Sequence, residues 1–496
     1  MGVPASAVSR VIGVDVAYKN FNTGAAQLLP QRLAIIGQGN SDAIYDTSTY
    51  ECEGSAVAVA ERYGYGSPLH IAALQLFPTA GVSAVFPVTI YPVREREGAA
   101  AATGKIIVTG TAGETTSGKF YIADTAVEFA VAKDDSAEAV MNAIAREING
   151  NLEQPVRAIV VEGTEEVAAH VLLTAKWKGK SSNLITIDLE AENLNIAGLT
   201  FEKVDMSGGA LDPGVEDALA RIGDVWETML MDTFDWKEQD RLNVYQSFGD
   251  DRWGWLNKKG CMVAHGSTEN YATRTAITDQ RKNDKINFLV QSTGSRALPF
   301  AICAKAMVCD IMTTADANPP QNYKGQLTGI HTGGADVQEN YLVRNNAYMK
   351  GASTNIKSGN VAELNDIITM YHPVSYGKYP PFRYVVDMVK LQNIVYNVRL
   401  IMEAEEFKGA PLVSDDTVVT NETAIQPKTV KAALFVLADS LGKKALISEP
   451  KFTKKHLEVK IDSENPKRLN VKYPVKLSGN LEVGSAEIFF GFYLGE

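Results

Sequence analysis

The chain is poor in the residues that carry metal, redox and hydrolytic chemistry. Among 496 residues there are four cysteines and six histidines. Cys52, Cys261, Cys303 and Cys309 form no CxxC pair, so buried free thiols are expected rather than a disulfide framework. His70, His170, His265, His331, His372 and His456 are scattered without HxxxH or HExxH spacing, and no metal site is predicted. No apolar run approaches the ~20 residues that a membrane helix needs, and the opening MGVPASAVSR lacks the basic start and apolar centre of a secretory signal. The expectation is synthesis and residence in the cytoplasm without membrane insertion. Basic excess is missing too. A net charge of −11 argues against nucleic acid as the main partner, because phosphate binding needs a basic face.

Signatures of catalysis and cofactor binding are equally sparse. The GxGN run at Gly37–Asn40 follows a strand, as a dinucleotide loop would, but the third glycine position is Asp42, which would set an acid against a pyrophosphate. A tight turn is the better reading. His331-Thr332-Gly333-Gly334 and His265-Gly266-Ser267 place imidazoles in loop-like surroundings, yet neither has the GxSxG elbow that would expose a nucleophile. Glu403, Glu405 and Glu406, at the end of a helical run, read as a solvated face. No catalytic, cofactor-binding or metal-binding residue is assigned.

What the chain does have is apolar, strand-forming sequence near each end. Val8, Ile12, Val14 and Val16 alternate with smaller or polar neighbours, and AEIFFGFYLGE carries Ile488, Phe490, Phe492 and Leu494 on alternate positions. Terminal segments fray unless something pairs with them, so two such stretches call for partner sheets and predict assembly by strand lending. Charge is uneven as well. From Lys443 to Lys476 there are ten basic and four acidic residues, a balance of +6 that leaves −17 for the remainder. This basic module reads either as a solvated lysine-rich surface or as a contact for an acidic partner.

Between the ends the pattern is α/β. LAIIGQGN at Leu33–Asn40, helical stretches at Ser55–Tyr63 and Pro68–Phe77, and AVFPVTIYPV at Ala84–Val93 give a β-α-β opening. From Gly98 the texture turns to alternating Thr, Val and Ile, with strands expected at 104–109, 119–132, 158–161, 171–177 and 183–189 and one helix at 136–148. After Ser207-Gly208-Gly209 the alternation resumes. Expected there are a helix over 213–226 with Asp212 as N-cap, strands at 228–234, 260–265 and 285–290, and helices at 299–312 and 382–407. A helix over 427–447 would pack Val430, Leu434, Leu437 and Leu441 inward and free Lys431, Lys443 and Lys444 outward, before strands at 452–461 and 468–477. The fold class is α/β, with a split core domain, an inserted mostly-β domain, a C-terminal α+β domain and strand-forming arms at both termini. The corresponding ranges are 1–30 (arm), 31–97 and 209–408 (core), 98–208 (insertion), 409–485 (C-terminal domain) and 486–496 (arm).

This order of parts resembles the contractile tail sheath proteins, and among them the Mu-like bacteriophage sheath. The likeness runs from Pro30-Gln31-Arg32 into LAIIGQGN and AVFPVTIYPV. It continues through GKIIVTGTA, TAKWKGKSSNLITIDL and the exit GGALDPGVEDAL to the C-terminal arm. The resemblance implies a homo-oligomer of stacked hexameric rings wrapped helically round a tail tube. The arm residues Val8, Ile12, Val14, Val16, Ile488, Phe490, Phe492 and Leu494 would exchange strands between subunits. Its partners would be the tube protein, baseplate and tail terminator proteins, and its place the virion tail, assembled in the host cytoplasm. Contraction would drive the tube through the host envelope from stored conformational energy, with no nucleotide. Lys431, Lys443 and Lys444 would be the tube contact. A sheath of a headless contractile device, pyocin-like or of a secretion system, fits the same sequence, and an α/β hydrolase using the His265 or His331 loop is the rival from another class.

Overall fold

The computed structural model describes residues 25–492 apart from 53, 166, 191, 317–319 and 378–379. It divides into two compact units, Leu28–Gln392 with 479–492 and residues 25–27 with Asn393–Ser478.

The larger unit begins with β1 (Leu33–Gly37), β2 (Tyr50–Cys52), α1 (Ala56–Tyr63), α2 (Pro68–Leu76) and β3 (Val88–Pro92). β1 is buried at all five residues, as expected of a continuous apolar run covered on both faces. Both helices start where a serine can cap: the Ser55 hydroxyl accepts from Ala58 N–H, and that of Ser67 accepts from His70 N–H with Pro68 at the first helical position. The GxGN run is a packing turn. A side chain at Gly39 would place its Cβ 2.6 Å from the Tyr63 carbonyl oxygen.

Residues 98–208 build their own sheets. They comprise β4 (Thr103–Gly110), β5 (Thr116–Ile122), β6 (Thr125–Val131), α3 (Ala137–Gly150), β7 (Val156–Val161), β8 (His170–Ala175), β9 (Ile187–Asp188) and β10 (Leu199–Ser207). The sheet orders are β10-β4-β8-β7 and β6-β5-β9. The single strand expected over 119–132 is in fact a hairpin that turns at Ala123 and Asp124, both at positive φ (48° and 69°). That two-residue turn has the backbone of the tight hairpin class that normally selects Asn-Gly, so Ala-Asp gave no local signal.

The chain then returns with α4 (Glu216–Ile222), β11 (Met229–Asp232), α5 (Gln239–Trp253), β12 (Met262–Ser267), α6 (Tyr271–Thr278) and β13 (Asn287–Gln291). β11, β12 and β13 join β1–β3 in one six-stranded sheet of order β13-β12-β11-β1-β3-β2, with β2 antiparallel to its neighbour. Asp212 is not the cap of α4. That helix starts four residues later without a side-chain cap, while the Asp212 carboxylate accepts from Ser181 N–H and pairs with Arg241. α5 escaped the sequence reading because its buried face is Leu242, Tyr245, Gly249 and Arg252, two of which do not read as apolar. The rest of the unit holds α7 (Pro299–Ala306), α8 (Met312–Asp316), β14 (Gln326–His331), α9 (Tyr341–Met349), β15 (Asn355–Ser358), β16 (Val361–Leu364) and the first residues of α10 (Val385–Met402). One continuous core runs from the main sheet, through Leu33, Val88 and Met231, into Ile106, Phe120 and Trp177 of the 98–208 segment.

The smaller unit is built on α11 (Pro427–Lys443), followed by α12 (Pro450–His456), β17 (Glu458–Ile461) and β18 (Leu469–Lys472). Val430, Leu434, Leu437 and Leu441 form the buried stripe of α11, packed with Ile394 and Ile401 of α10. The strand expected over 452–461 begins only at Glu458, and residues 452–456 lie in α12. Pro450 stands at the first helical position, where its fixed φ suits a helix and its missing N–H costs nothing. Of the cysteines, Cys261 and Cys303 are buried, while Cys52 and Cys309 are half-buried.

Candidate assembly surfaces

Among the described residues the C-terminal arm is tied down only at its root, Asn480 to Glu482, where the Glu482 carboxylate meets Asn322. Asn480 accepts from the buried Lys390 ammonium and donates to the Pro320 carbonyl oxygen at 3.2 Å. Beyond it every described residue is exposed: Leu481 and Val483, then Ile488, Phe489, Phe490 and Phe492 at 85–89%. No strand forms over 479–492. Four large apolar side chains in five residues, with no cover from the described residues, make an unusually costly surface to leave in water. Val8, Ile12, Val14, Val16 and Leu494 lie outside the described residues.

In the smaller unit β17 and β18 pair with each other in a two-stranded antiparallel sheet. Val459 packs inward, joined by Leu469, Val471, Tyr473 and Val475 at the border of the core. A two-stranded sheet leaves two outer edges of N–H and C=O groups, the feature that accepts an added strand.

The three lysines proposed from sequence are not one cluster. Lys431 lies near the start of α11, its ammonium 5.7 Å from the Phe435 ring centre. Lys443 is exposed and makes no ion pair among the described residues, and Lys444, half-buried, closes the helix with its N–H on the Ser440 carbonyl. Twelve residues of helix put Lys431 about 18 Å from Lys443 at ~1.5 Å per residue. Several neighbouring lysines are internally paired, Lys454 with Asp439 and Lys476 with Glu449.

The main sheet changes direction at β1, with β3 on one side and β11 on the other, and the carboxyl end of that switch point is where open α/β sheets bind ligands. Here residues 176–180 of the chain cross the position. The Gln38 side chain donates to the Lys178 carbonyl at 2.5 Å, Ser41 N–H to that of Lys176, and Lys180 pairs with Glu238. Gln38, Thr233, Phe234 and Trp236 are buried beneath. His265 and Ser267 lie within β12, also buried. The His265 Nε2 meets Asn287 Oδ1 at 2.9 Å and its Nδ1 faces Asp232 at 3.6 Å. His331 ends β14 with its N–H on Asp124, and burial lowers its basicity. Glu403 and Glu405 pair with Arg399 and Lys408 on the exposed side of their segment.

A feature the sequence did not announce is Arg296. Its guanidinium lies over the Tyr121 ring, pairs with Asp124 at 2.7 Å and Glu190 at 2.6 Å, and reaches Asp188 at 3.3 Å. These partners all belong to 98–208, so one side chain latches that segment to the main body. The Asp124 carboxylate is also the one that holds the strained hairpin turn, its second oxygen accepting from His331 N–H.

No protein-family model matches the chain. The Mu-like prophage FluMu tail sheath protein of Haemophilus influenzae is 25% identical over 391 residues, covering 77% of each chain. The chain resembles the Mu-like phage tail sheath proteins. Among solved structures, the sheath tail protein of Listeria innocua superimposes with a TM-score of 0.48 at 10% identity over 92% of this chain and 94% of that one. That of Desulfitobacterium hafniense gives 0.47 at 12% identity over 95% and 98%.

Proposed function

We propose that the chain is the sheath subunit of a contractile phage tail, located in the virion tail and built from copies of itself around a tail tube. The observation that carries the proposal is the C-terminal arm, whose apolar side chains have no cover on their own chain, in a sequence that resembles a tail sheath protein over three quarters of its length. An arm of this kind adds backbone hydrogen bonds to a neighbour's open sheet edge, while alternate side chains set the register. Because the donor and acceptor surfaces differ, such a contact does not close on itself in pairs. It propagates into rings and helices, here stacked hexameric rings assembled in the host cytoplasm.

In this reading 1–30 and 486–496 are the exchanged arms, and Val8, Ile12, Val14, Val16, Ile488, Phe490, Phe492 and Leu494 carry register. Segments 31–97 and 209–408 form the core, 98–208 faces outward, and 409–485 faces the tube through Lys431, Lys443 and Lys444. Tube, baseplate and terminator proteins are the partners. Contraction is a lattice rearrangement driven by stored conformational energy, in which the bodies move rigidly and the arms keep them connected. Residues 176–180, bonded across the sheet's switch point, favour this structural role over a hydrolase. No helix among the described residues is long and apolar enough to cross a membrane. Electron microscopy of the purified protein is the test. Long hollow cylinders are expected, and discrete particles at every concentration would overturn the proposal.

A further inference from the structure

An open cleft of about 560 Å³ lies between the turn after β1, the α1–α2 connection, the end of α3 and the start of β7. Lys176, half-buried, stands in its wall just after β8, flanked by buried Ala175 and Trp177. Its backbone is fixed from both sides: the N–H donates to the Pro155 carbonyl and the C=O accepts from Ser41 N–H, both at 2.9 Å. The side-chain nitrogen donates to the Tyr65 carbonyl at 3.2 Å and the Leu152 carbonyl at 3.0 Å, and makes no ion pair among the described residues. Gly66 presses against it, for a Cβ there would lie 2.8 Å from Nζ. An ammonium offers three N–H groups, a neutral amine two and a lone pair. Two carbonyls therefore satisfy the amine completely and the ammonium only in part. Burial lowers the basicity of Lys176 to about 8, with Arg157 acting the same way and Asp42 against them. His70, whose Nδ1 accepts from Gly66 N–H, is brought to about 4 by burial and by the Lys176 charge, and so is neutral where Lys176 titrates. The other charges of the lining cancel, Arg62 and Arg157 against Asp42 and Glu61, and Arg157 pairs with Asp42 directly.

We propose that Lys176 is a nucleophilic amine and a modification site, and that the cleft admits small uncharged acyl donors, activated esters or thioesters, whose acyl group passes to Nζ. A lysine held neutral by a desolvated seat and a neighbouring cation is the activated form of this nucleophile. The lone pair of Nζ attacks the acyl carbon. A C–N bond forms as the C–O or C–S bond to the leaving group breaks, the leaving group departs with the electron pair of that bond, and the amine proton passes to water. The product is an uncharged amide, which suits a half-buried position better than an ammonium does. It keeps a single N–H and can serve only one of the two carbonyls. Because Tyr65 belongs to the main body and Leu152 to the 98–208 segment, acylation releases one of the ties between them. The reaction needs only the folded chain and not the polymer.

The test treats the full chain at pH 7 with less than one equivalent of p-nitrophenyl acetate and maps the acetylated positions by mass spectrometry. The first acetyl group is expected at Lys176, about tenfold faster than at the exposed Lys443. The Lys176 rate should level off above a pH of about 8, whereas in the denatured chain it should go on rising through the ordinary lysine range of about 10. Lys176→Arg retains a donor for the two carbonyls and should lose the fast phase of p-nitrophenolate release. Acetylation of Lys176 no faster than that of Lys443 would overturn the proposal. So would a rate that climbs with pH as it does in the denatured chain, or a fast phase that survives Lys176→Arg.

Discussion

Two segments look like appendages on this sequence, and the molecule treats them in opposite ways. Residues 98–208 carry their own sheets, yet share a continuous core with the main body and are latched to it by Arg296. The C-terminal arm is far shorter and more apolar per residue, yet after Glu482 its described residues are exposed. Composition alone would assign the buried role to the arm, since its side chains gain most from leaving water. That they stay exposed is what the proposed arm exchange requires, whereas the 98–208 segment packs into a core shared with the main body.

Removing Ala486–Glu496 should break this contrast most visibly. Because its described part, 486–492, is exposed, the shortened protein should keep its thermal unfolding midpoint and its circular dichroism, while cylinders disappear from micrographs and sedimenting polymer is lost. A truncated chain that polymerises at the normal concentration would remove the arm from the assembly.

Arg296→Ala tests the other side. Deleting one member of a buried ion network strands the rest, and with Asp188 and Glu190 keeping some water the cost should be about 2 to 3 kcal/mol, below that of a fully enclosed pair. Asp124 would lose a partner, so the hairpin turn at Ala123, held at φ 48°, should become the first site cut in limited proteolysis. Unchanged cutting there and an unchanged first unfolding transition would show that the latch is dispensable.

Much of the α/β framework was readable because its signals are local. Ser55 and Ser67 cap helices, LAIIG forms a strand buried at every residue, and the stripe of Val430, Leu434, Leu437 and Leu441 faces inward as its spacing demanded. The misses share a physical cause. The turn at Ala123-Asp124 is stabilised by an arginine 172 positions away, and α5 buries a glycine and an arginine, so no local pattern reports them. Asp212 satisfies a loop N–H and an arginine in place of a helix end. For the assembly surfaces, the apolar alternation over 488–492 was legible in sequence. The cleft lined by Met402, Leu412, Ile425 and Leu469 was not, because these residues come together only in the fold.

A smaller effect is expected from Lys443→Glu with Lys444→Glu. Exposed charge pairs contribute about 0.2 to 1 kcal/mol each, so a single subunit would barely register the change, but the contact recurs along a tail. Co-assembly with an acidic tube should weaken and become more sensitive to salt, while polymer formed without a tube is spared. Lys431, about 18 Å away along α11 at ~1.5 Å per residue, serves as a comparison, since a tube contact confined to the helix end would leave Lys431→Glu without effect. Tube-bound sheath measured across a salt series decides it, and unchanged binding in the double variant would exclude this end of the helix.

The smallest effect concerns the one place where the arm meets its own body. Partial desolvation holds the Glu482 carboxyl above its ordinary range, with the negative charges of Asp366 and Asp387 acting the same way, against Asn322 and Lys324, which favour the ionised form. Asp366 is likewise raised, mainly by burial, against the Thr354 hydroxyl and Arg344. Folded-state values above the unfolded ones mean that the packed root is favoured fully below the ordinary carboxylate range of about 4 and loses that advantage as pH rises through the raised values. The root should thus hold more tightly in mild acid and loosen towards neutrality. Amide exchange over 479–483, corrected for its intrinsic pH dependence, should show more protection at pH 5 than at pH 7, and Glu482→Gln should flatten the difference. Greater protection at pH 7 would reverse the sign and detach these carboxyls from the hold on the arm.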